Sequence, residues 1–386
     1  MQIILKLTSA CNLNCSYCSE GDHPPERLPE ELFFKLVDEL PELLDHIQSK
    51  KTEFLFHGGE PLLYGRDALR RLIDHARGHL PNCRLQFLMQ TNGTLIDDGW
   101  IEFFKANDIH VGISLDGYPA LHDLNRRTKD DRPTAALIMH NINRLRAEGM
   151  NVGTLMVLNA AVDVDRLFDF IRENDLQPKI HPVIACGRAS ERTDTAELYE
   201  TYVEVMKGLV ERALNVELPK IIQPIDEMFD AILGLAPIGE CSFNGSCGRN
   251  FICVYPDGVT GFCGRDNASR HLTYGNLRDH SLLELYQSVN AEKIRARQAY
   301  LVRHDCKNCS DWELCHGGCA FEAVNAFGTL EANYPNCSAR KKFIAWLRTD
   351  GLKLLKARLI REKVKLRQSL RIKRQLRSEI EELPHD

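Results

Sequence analysis

The segment TSACNLNCSYC carries three cysteines, Cys11, Cys15 and Cys18, at spacings of three and two intervening residues. Thiolates are soft ligands, and three on one short loop can hold a metal centre. A closed tetrahedral site takes four ligands, and this loop supplies three thiols. Three thiolates can hold three irons of a [4Fe-4S] cube and leave the fourth iron without a protein ligand. An open coordination position marks reactivity and not scaffolding. The competing reading is a zinc ion held by the three cysteines and a histidine from elsewhere in the chain.

The elements around this loop must aim it. QIILKLT (2–8) is a short β-rich run that feeds the cysteines, and TEFLFHG, RLQFLMQ, IHVGISLDG, VGTLMVL and QPKIHPVIA are the next strand candidates. Helical stretches separate them; the first, PEELFFKLVDELPELLDHIQ, is expected to break or kink at Pro41. Strand–helix alternation predicts an α/β fold with a parallel sheet, here a partial (β/α)6 TIM-like barrel. Barrels of this kind do their chemistry on loops at the strands' C-terminal ends. The cysteine loop, HGGEP, QTNGT and SLDG each follow a strand. Past about residue 235 the alternation stops and cysteines, glycines and short runs take over, as in a small metal-stapled domain. The boundaries expected are a barrel over 1–235, a cysteine-rich domain over 236–345 and a basic helical tail over 346–386.

Composition limits the function classes. Of 386 residues, 44% are hydrophobic and 27% charged, ordinary for a globular protein. MQIILKL is too short for a signal peptide or a membrane span, so the expected location is the cytoplasm, with no membrane partner. Thiols stay reduced there, and 14 cysteines then read as metal or redox groups. The net charge of -5 hides a basic tail: Lys353 to Arg377 holds eleven Lys or Arg against the single acid Glu362. Such a segment could hold an acidic peptide or nucleic acid, or be a solvated helix with Leu352, Leu355, Leu359, Leu366 and Leu370 on an inner stripe.

Cys-x3-Cys-x2-Cys on the first loop of a βα repeat resembles the radical S-adenosylmethionine (SAM) superfamily. The resemblance implies that SAM chelates the open iron and is cleaved to a 5′-deoxyadenosyl radical. It carries a SAM-binding role onto Gly58, Gly59 and Glu60 of HGGEP, onto Ser114 at the end of the fourth strand, and onto Arg126 of HDLNRR, suited to a carboxylate. VGTLMVLNA lacks a fuller adenine-supporting pattern, which leaves the adenine contacts open.

CKNCSDWELCHGGC places Cys306, Cys309, Cys315 and Cys319 at spacings of two, five and three, with Cys337 later and Cys241, Cys247 and Cys263 upstream. Eight thiolates suit two closed [4Fe-4S] cubes or two zinc sites. With the turn YPDGVTGFC, the set resembles the SPASM domain of peptide-modifying radical SAM enzymes. That resemblance implies one auxiliary cluster on Cys241, Cys247, Cys263 and Cys319, another on Cys306, Cys309, Cys315 and Cys337, and three [4Fe-4S] clusters in all. Cys253 rivals Cys247 in this scheme. Cys83, Cys186 and Cys253 are otherwise read as small buried apolar residues.

Closed clusters can accept the electron released when a substrate radical becomes product. The expected activity is therefore oxidation of a peptide side chain by a radical SAM oxidoreductase. HGGEP and CHGGC look like the anaerobic sulfatase-maturing enzymes, which make formylglycine and place an Asp base directly after the cysteine matching Cys263. Gly264 stands there, and a glycine does no acid–base work. The sequence reading accordingly favours a crosslink in a ribosomally made precursor peptide, a carbon–carbon cyclophane or a thioether, with Arg265 and Asp266 facing substrate. Formylglycine formation is the alternative. The other class considered, a non-catalytic iron-sulfur electron carrier or redox sensor, leaves the open iron and the Gly-Gly-Glu loop unexplained. Expected partners are the precursor peptide, an electron donor such as flavodoxin or ferredoxin, and a separate leader-binding protein if the barrel, the SPASM surface or the tail does not do that work. RNA modification is disfavoured for want of an RNA-binding domain.

Overall fold

The computed structural model describes residues 1–22, 25–159, 161–216, 222–266 and 269–381, with side chains of the last helix described to residue 365 and at 368. Six parallel strands alternate with helices: β1 (Gln2–Thr8), β2 (Lys51–Gly58), β3 (Arg84–Thr91), β4 (Ile109–Ser114), β5 (Val152–Leu158) and β6 (Pro178–Pro182). The principal helices between and after them are α1 (Glu30–His46), α2 (Arg66–His79), α3 (Asp98–Ala106), α4 (Ala135–Ala147), α5 (Val164–Glu173) and α6 (Thr195–Asn215). This is the partial barrel expected, followed by an irregular cysteine-bearing region and a C-terminal helix, Leu352–Glu381.

One expectation fails. α1 runs unbroken through Pro41, which sits on the exposed side of the helix. There the lost N–H leaves a carbonyl that water can reach.

Period-two alternation sorts the strand residues by face. Ile3, Leu5 and Leu7 of β1 and Phe54 and Phe56 of β2 are fully buried in the core with Leu36, Leu40 and Leu72 of the helices. The opposite face, the barrel lumen, carries Lys6, His57, Gln90, Ser114 and His181 among apolar residues such as Ile4, Leu55, Leu88 and Leu155, so polar groups reach the interior.

The second region joins the same sheet. β7 (Phe251–Val254) pairs in parallel with β1, Cys253 opposite Ile4, and β8 (Val259–Gly261) and β9 (Thr273–Asn276) extend the sheet antiparallel. The resulting order is β6-β5-β4-β3-β2-β1-β7-β8-β9. The change in sequence character near residue 235 is thus bridged by a continuous hydrogen-bonded sheet.

The tail departs from the expected stripe. Leu352 and Leu355 pack against the core, whereas Leu359 is 55% exposed; the side chains of Leu366 and Leu370 lie outside the described residues. Arg358 and Arg361 donate to the carbonyls of Ala213 and Leu214, at the C-terminal end of α6, where cations complement the helix dipole. Among the described residues no helix is long and apolar enough to cross a membrane.

The core between α1 and the sheet gives a stability prediction. Phe54 is fully buried against Phe33 and Phe87. Phe54→Ala is expected to cost about 3–5 kcal/mol, read as a lower urea midpoint with an unchanged slope.

Candidate active site

The cysteine loop is held by the ends of the other strands. Gly59 and Glu60 donate their N–H groups to the carbonyls of Thr8 (2.7 Å) and Ala10 (2.8 Å). A Cβ at Gly58, whose φ is +137°, would stand 2.3 Å from the Thr8 oxygen, and one at Gly59 would stand 2.4 Å from the Ala10 oxygen. These glycines are required by close approach to the loop as well as by backbone freedom. Beyond β3, Asn92 Nδ2 donates to Asn12 Oδ1 (2.9 Å) and lies 3.9 Å from Cys11 Sγ. The loop after β6 closes the other side: Arg188 donates its backbone N–H to the Cys18 carbonyl (2.9 Å) and its side chain to the Cys15 carbonyl (3.1 Å).

Of the residues expected to meet SAM, Glu60 has a fully buried carboxylate that accepts from Thr91 Oγ1 (2.7 Å), the Asn92 N–H (2.8 Å) and the Leu62 N–H (3.0 Å). Burial outweighs these bonds and pushes its pKa up to about 7. Its side chain fastens β2 to β3, which leaves the backbone of Gly58–Glu60 to face a ligand. Ser114 Oγ accepts from Gln90 Nε2 (3.1 Å). Arg126 gives its Nε to Asp116 Oδ2 (2.9 Å) and lies over the Tyr17 ring, 5.3 Å from its centroid. Tyr17 OH donates to the same oxygen of Asp116, whose other oxygen accepts the Val157 N–H (3.0 Å). Among the described residues the terminal nitrogens of Arg126 have no hydrogen-bond partner, so they can serve a carboxylate. Asp116 and Tyr17 escaped the sequence reading; the signal for Asp116 was the acid of SLDG, two residues past the end of β4.

The thiols fit clusters better than single ions. Cys11, Cys15 and Cys18 lie near enough to raise one another's pKa, and burial pushes Cys11 up to about 12. Cys241, Cys247, Cys263 and Cys319 form a second mutual group. Cys306, Cys309, Cys315 and Cys337 line one cavity of about 340 Å³. Among the described residues no three thiols lie within 4.8 Å of one another, whereas a single zinc ion would draw its sulfurs to on the order of 4 Å apart. Thiols held protonated by burial release their protons on metal binding. Cys253 is fully buried on β7; Cys247 acts electrostatically on both Cys241 and Cys319, whereas Cys253 acts on neither. Its place favours Cys247 in the first auxiliary set. Cys186 is buried in the core, and Cys83 packs against it.

Arg265 and Asp266 part company. Asp266 accepts the N–H groups of His271 (3.1 Å) and Leu272 (3.4 Å), so its carboxylate is spent on its own loop. The expected substrate-facing pair is thereby reduced to Arg265, which lines a cavity of about 360 Å³ with His181 of β6, Glu240 and Glu322. Sequence reasoning also missed Lys6, which is buried and ion-paired with Glu20. Lys6 Nζ lies 3.2 Å from His57 Nδ1. Burial alone would lower the ammonium's pKa, but Glu20 carries it above the ordinary value. The pair joins residues 14 positions apart that no local pattern links.

Burial holds three imidazoles neutral: His57 and His181 fall to about 3 and His122 to about 4. Unfolded, each would titrate near its ordinary 6.5. The stability tied to them is present above that value and is lost as pH falls toward 4 and 3, by up to ~1.4 kcal/mol per pH unit for each group. Urea midpoints are expected to drop between pH 7 and pH 5. His122→Gln should flatten that slope.

The Radical SAM superfamily profile matches residues 5–171, and the SPASM iron-sulfur cluster-binding profile matches residues 241–310. The cysteine-type anaerobic sulfatase-maturating enzyme of Clostridium perfringens (strain 13 / Type A) is 28% identical over 89% of this chain and 95% of its own. The serine-type enzyme of Bacteroides thetaiotaomicron is 26% identical over 81% of this chain and 80% of its own. The solved structure of native anSMEcpe with bound AdoMet superposes with a TM-score of 0.78 at 22% identity, covering 92% of this chain and 98% of that one. Streptococcus suis SuiB bound to its precursor peptide SuiA shares the fold at a TM-score of 0.57 and 15% identity, covering 86% and 74%. The chain thus carries a radical SAM domain followed by a SPASM iron-sulfur cluster-binding domain, and the two together imply SAM and [4Fe-4S] clusters as cofactors.

Proposed function

We propose that this chain is a maturase that oxidises a side chain of a peptide or protein, converting a cysteine or serine to formylglycine. The observation that carries the reading is the length of the match to sulfatase-maturating enzymes of both the cysteine and the serine type. When bound, SAM and its cluster supply a hydrogen-abstracting carbon radical, and the auxiliary clusters supply one-electron acceptors.

The chain's own residues do the positioning. Cys11, Cys15 and Cys18 would hold the SAM-binding cluster, Arg126 would take the SAM carboxylate, and the backbone of Gly58–Glu60 would take the amino group. The two auxiliary sets would be Cys241, Cys247, Cys263 and Cys319, and Cys306, Cys309, Cys315 and Cys337.

One observation favours the second reading, an oxidative crosslink in a precursor peptide. Gly264 stands where the sulfatase-maturing family carries an Asp base. A Cβ at that position would lie 3.2 Å from Lys6 Cε and 3.5 Å from Lys6 Nζ. The Lys6–Glu20 pair therefore borders the space an acidic side chain would enter. With Asp266 engaged by its loop, a proton leaving the substrate must go to another polar group of the lumen.

Reduced, reconstituted protein is to be incubated anaerobically with SAM and peptides bearing a central Cys or Ser. Formylglycine formation predicts 5′-deoxyadenosine and a product trapped by a hydrazide. A product that has lost two hydrogens and gives no hydrazide adduct would replace that reading with the crosslink, and absence of 5′-deoxyadenosine would leave an electron carrier. Joint replacement of Cys11, Cys15 and Cys18 by Ala should abolish SAM cleavage and keep the auxiliary clusters' absorbance.

A further inference from the structure

β6 is the edge strand of the partial barrel, and the seam between it and the cysteine-rich region is crowded with charge. Lys179 of β6 is ion-paired with Glu240, which is 4% exposed. Arg340 donates to the Ser242 carbonyl (2.7 Å) and lies over Tyr334, 3.8 Å from the ring centroid. Glu322 bonds to Tyr334 and Cys319. Arg297 spends its guanidinium on the carbonyls of Gly317 (2.9 Å), Gly318 (3.0 Å), Leu330 (3.2 Å) and Ala332 (2.9 Å). On the far side of Cys263, Lys6 is neutralised by Glu20. Each of these charged groups already has a partner.

Arg265 differs. Its backbone N–H donates to Cys263 Sγ (3.4 Å), which fixes the residue beside the first auxiliary thiol set. Among the described residues nothing accepts a hydrogen bond from its guanidinium. Its side chain lines the cavity shared with Glu240 and Ser242, the two neighbours of Cys241, and with Glu322, which bonds to Cys319. A cation held this close to three of four thiols, in a seam walled by protein, stabilises added negative charge there. Reduction potentials of iron-sulfur clusters follow net charge and hydrogen bonds to the sulfurs.

We propose that Arg265 is a positioning residue for charge: it raises the reduction potential of the cluster on Cys241, Cys247, Cys263 and Cys319. The electron concerned is the one a substrate radical gives up as it loses a proton and becomes product. The inference rests on the reading that this set holds a cluster that receives that electron, and it is independent of which side-chain product forms.

The test is an EPR-monitored redox titration of full-length reconstituted protein in which Cys11, Cys15 and Cys18 are Ala, so that only the auxiliary clusters report. No substrate is present, so failure of the formylglycine assignment leaves this readout untouched. Arg265→Gln is expected to lower the midpoint of the first cluster and leave that of the second unchanged, while Arg265→Lys recovers most of the shift. Unchanged midpoints in Arg265→Gln would overturn the proposal, as would equal shifts of both clusters. If Arg265→Gln does not retain the first cluster, Arg265→Lys decides: a midpoint near that of Arg265 supports the charge role, and a fully lowered one overturns it.

Discussion

Backbone contact between Thr8–Ala10 and Gly58–Gly59 is the constraint on which the site depends. The first loop must lie across the open end of the barrel, and its carbonyls must find donors there. Two glycines let β2 come close enough to supply them. With that contact made, Cys11 sits beside Asn92, Cys15 beside Arg126 and Cys18 beside the loop after β6. A side chain at position 58 or 59 would push the loop away and move all three thiols together. The Gly-Gly-Glu motif thus acts first as a spacer and fastener, and only then as a surface for a ligand.

Local pattern made the barrel legible. β1, β5 and the end of β2 fall where β-rich runs meet the motifs, because period-two burial leaves a strong imprint on one face. Pro41 shows where local reasoning stops: proline disfavours a helix interior, yet the helix continues through it, with Leu36, Val37, Leu40, Leu43 and Leu44 buried on its inner face. The grouping of eight distant cysteines into two sets was legible only through resemblance, since spacing alone leaves many pairings open. Asp116, Tyr17, Lys6 and Glu20 were not legible. Each acts through a partner that the fold brings from elsewhere, and nothing in the neighbouring residues marks it. Arg265 and Asp266, adjacent in sequence, have different surroundings: the N–H groups of His271 and Leu272 engage the Asp266 carboxylate, while Arg265 lines the cavity with Glu240 and Glu322.

Two of the tail's eleven basic residues have an internal use: Arg358 and Arg361 bond the last carbonyls of α6. That use anchors the C-terminal helix to the barrel. It also explains why the leucine stripe is abandoned at Leu359: once the first turns are docked by Leu352, Leu354 and Leu355 together with these caps, the helix face beyond has less to cover.

Buried ion pairs such as Lys6–Glu20 and Arg126–Asp116 are weak sources of stability, because desolvation offsets most of the attraction, and Glu240 is buried opposite a Lys179 that stays partly exposed. Their presence in the lumen and seam therefore needs a cause other than folding. The polar groups of the interior face the very loops that carry the thiols, and buried thiols held protonated have no charge to offer the cations beside them. Ligation changes that: the sulfurs become anionic, and Arg126, already paired with Asp116, and Arg265, which shares its cavity with Glu240, gain further counter-charge. Binding that favours the native state adds to its stability. The clusters are thus part of the electrostatic balance of the fold, and a barrel with this interior would be poorly compensated without them.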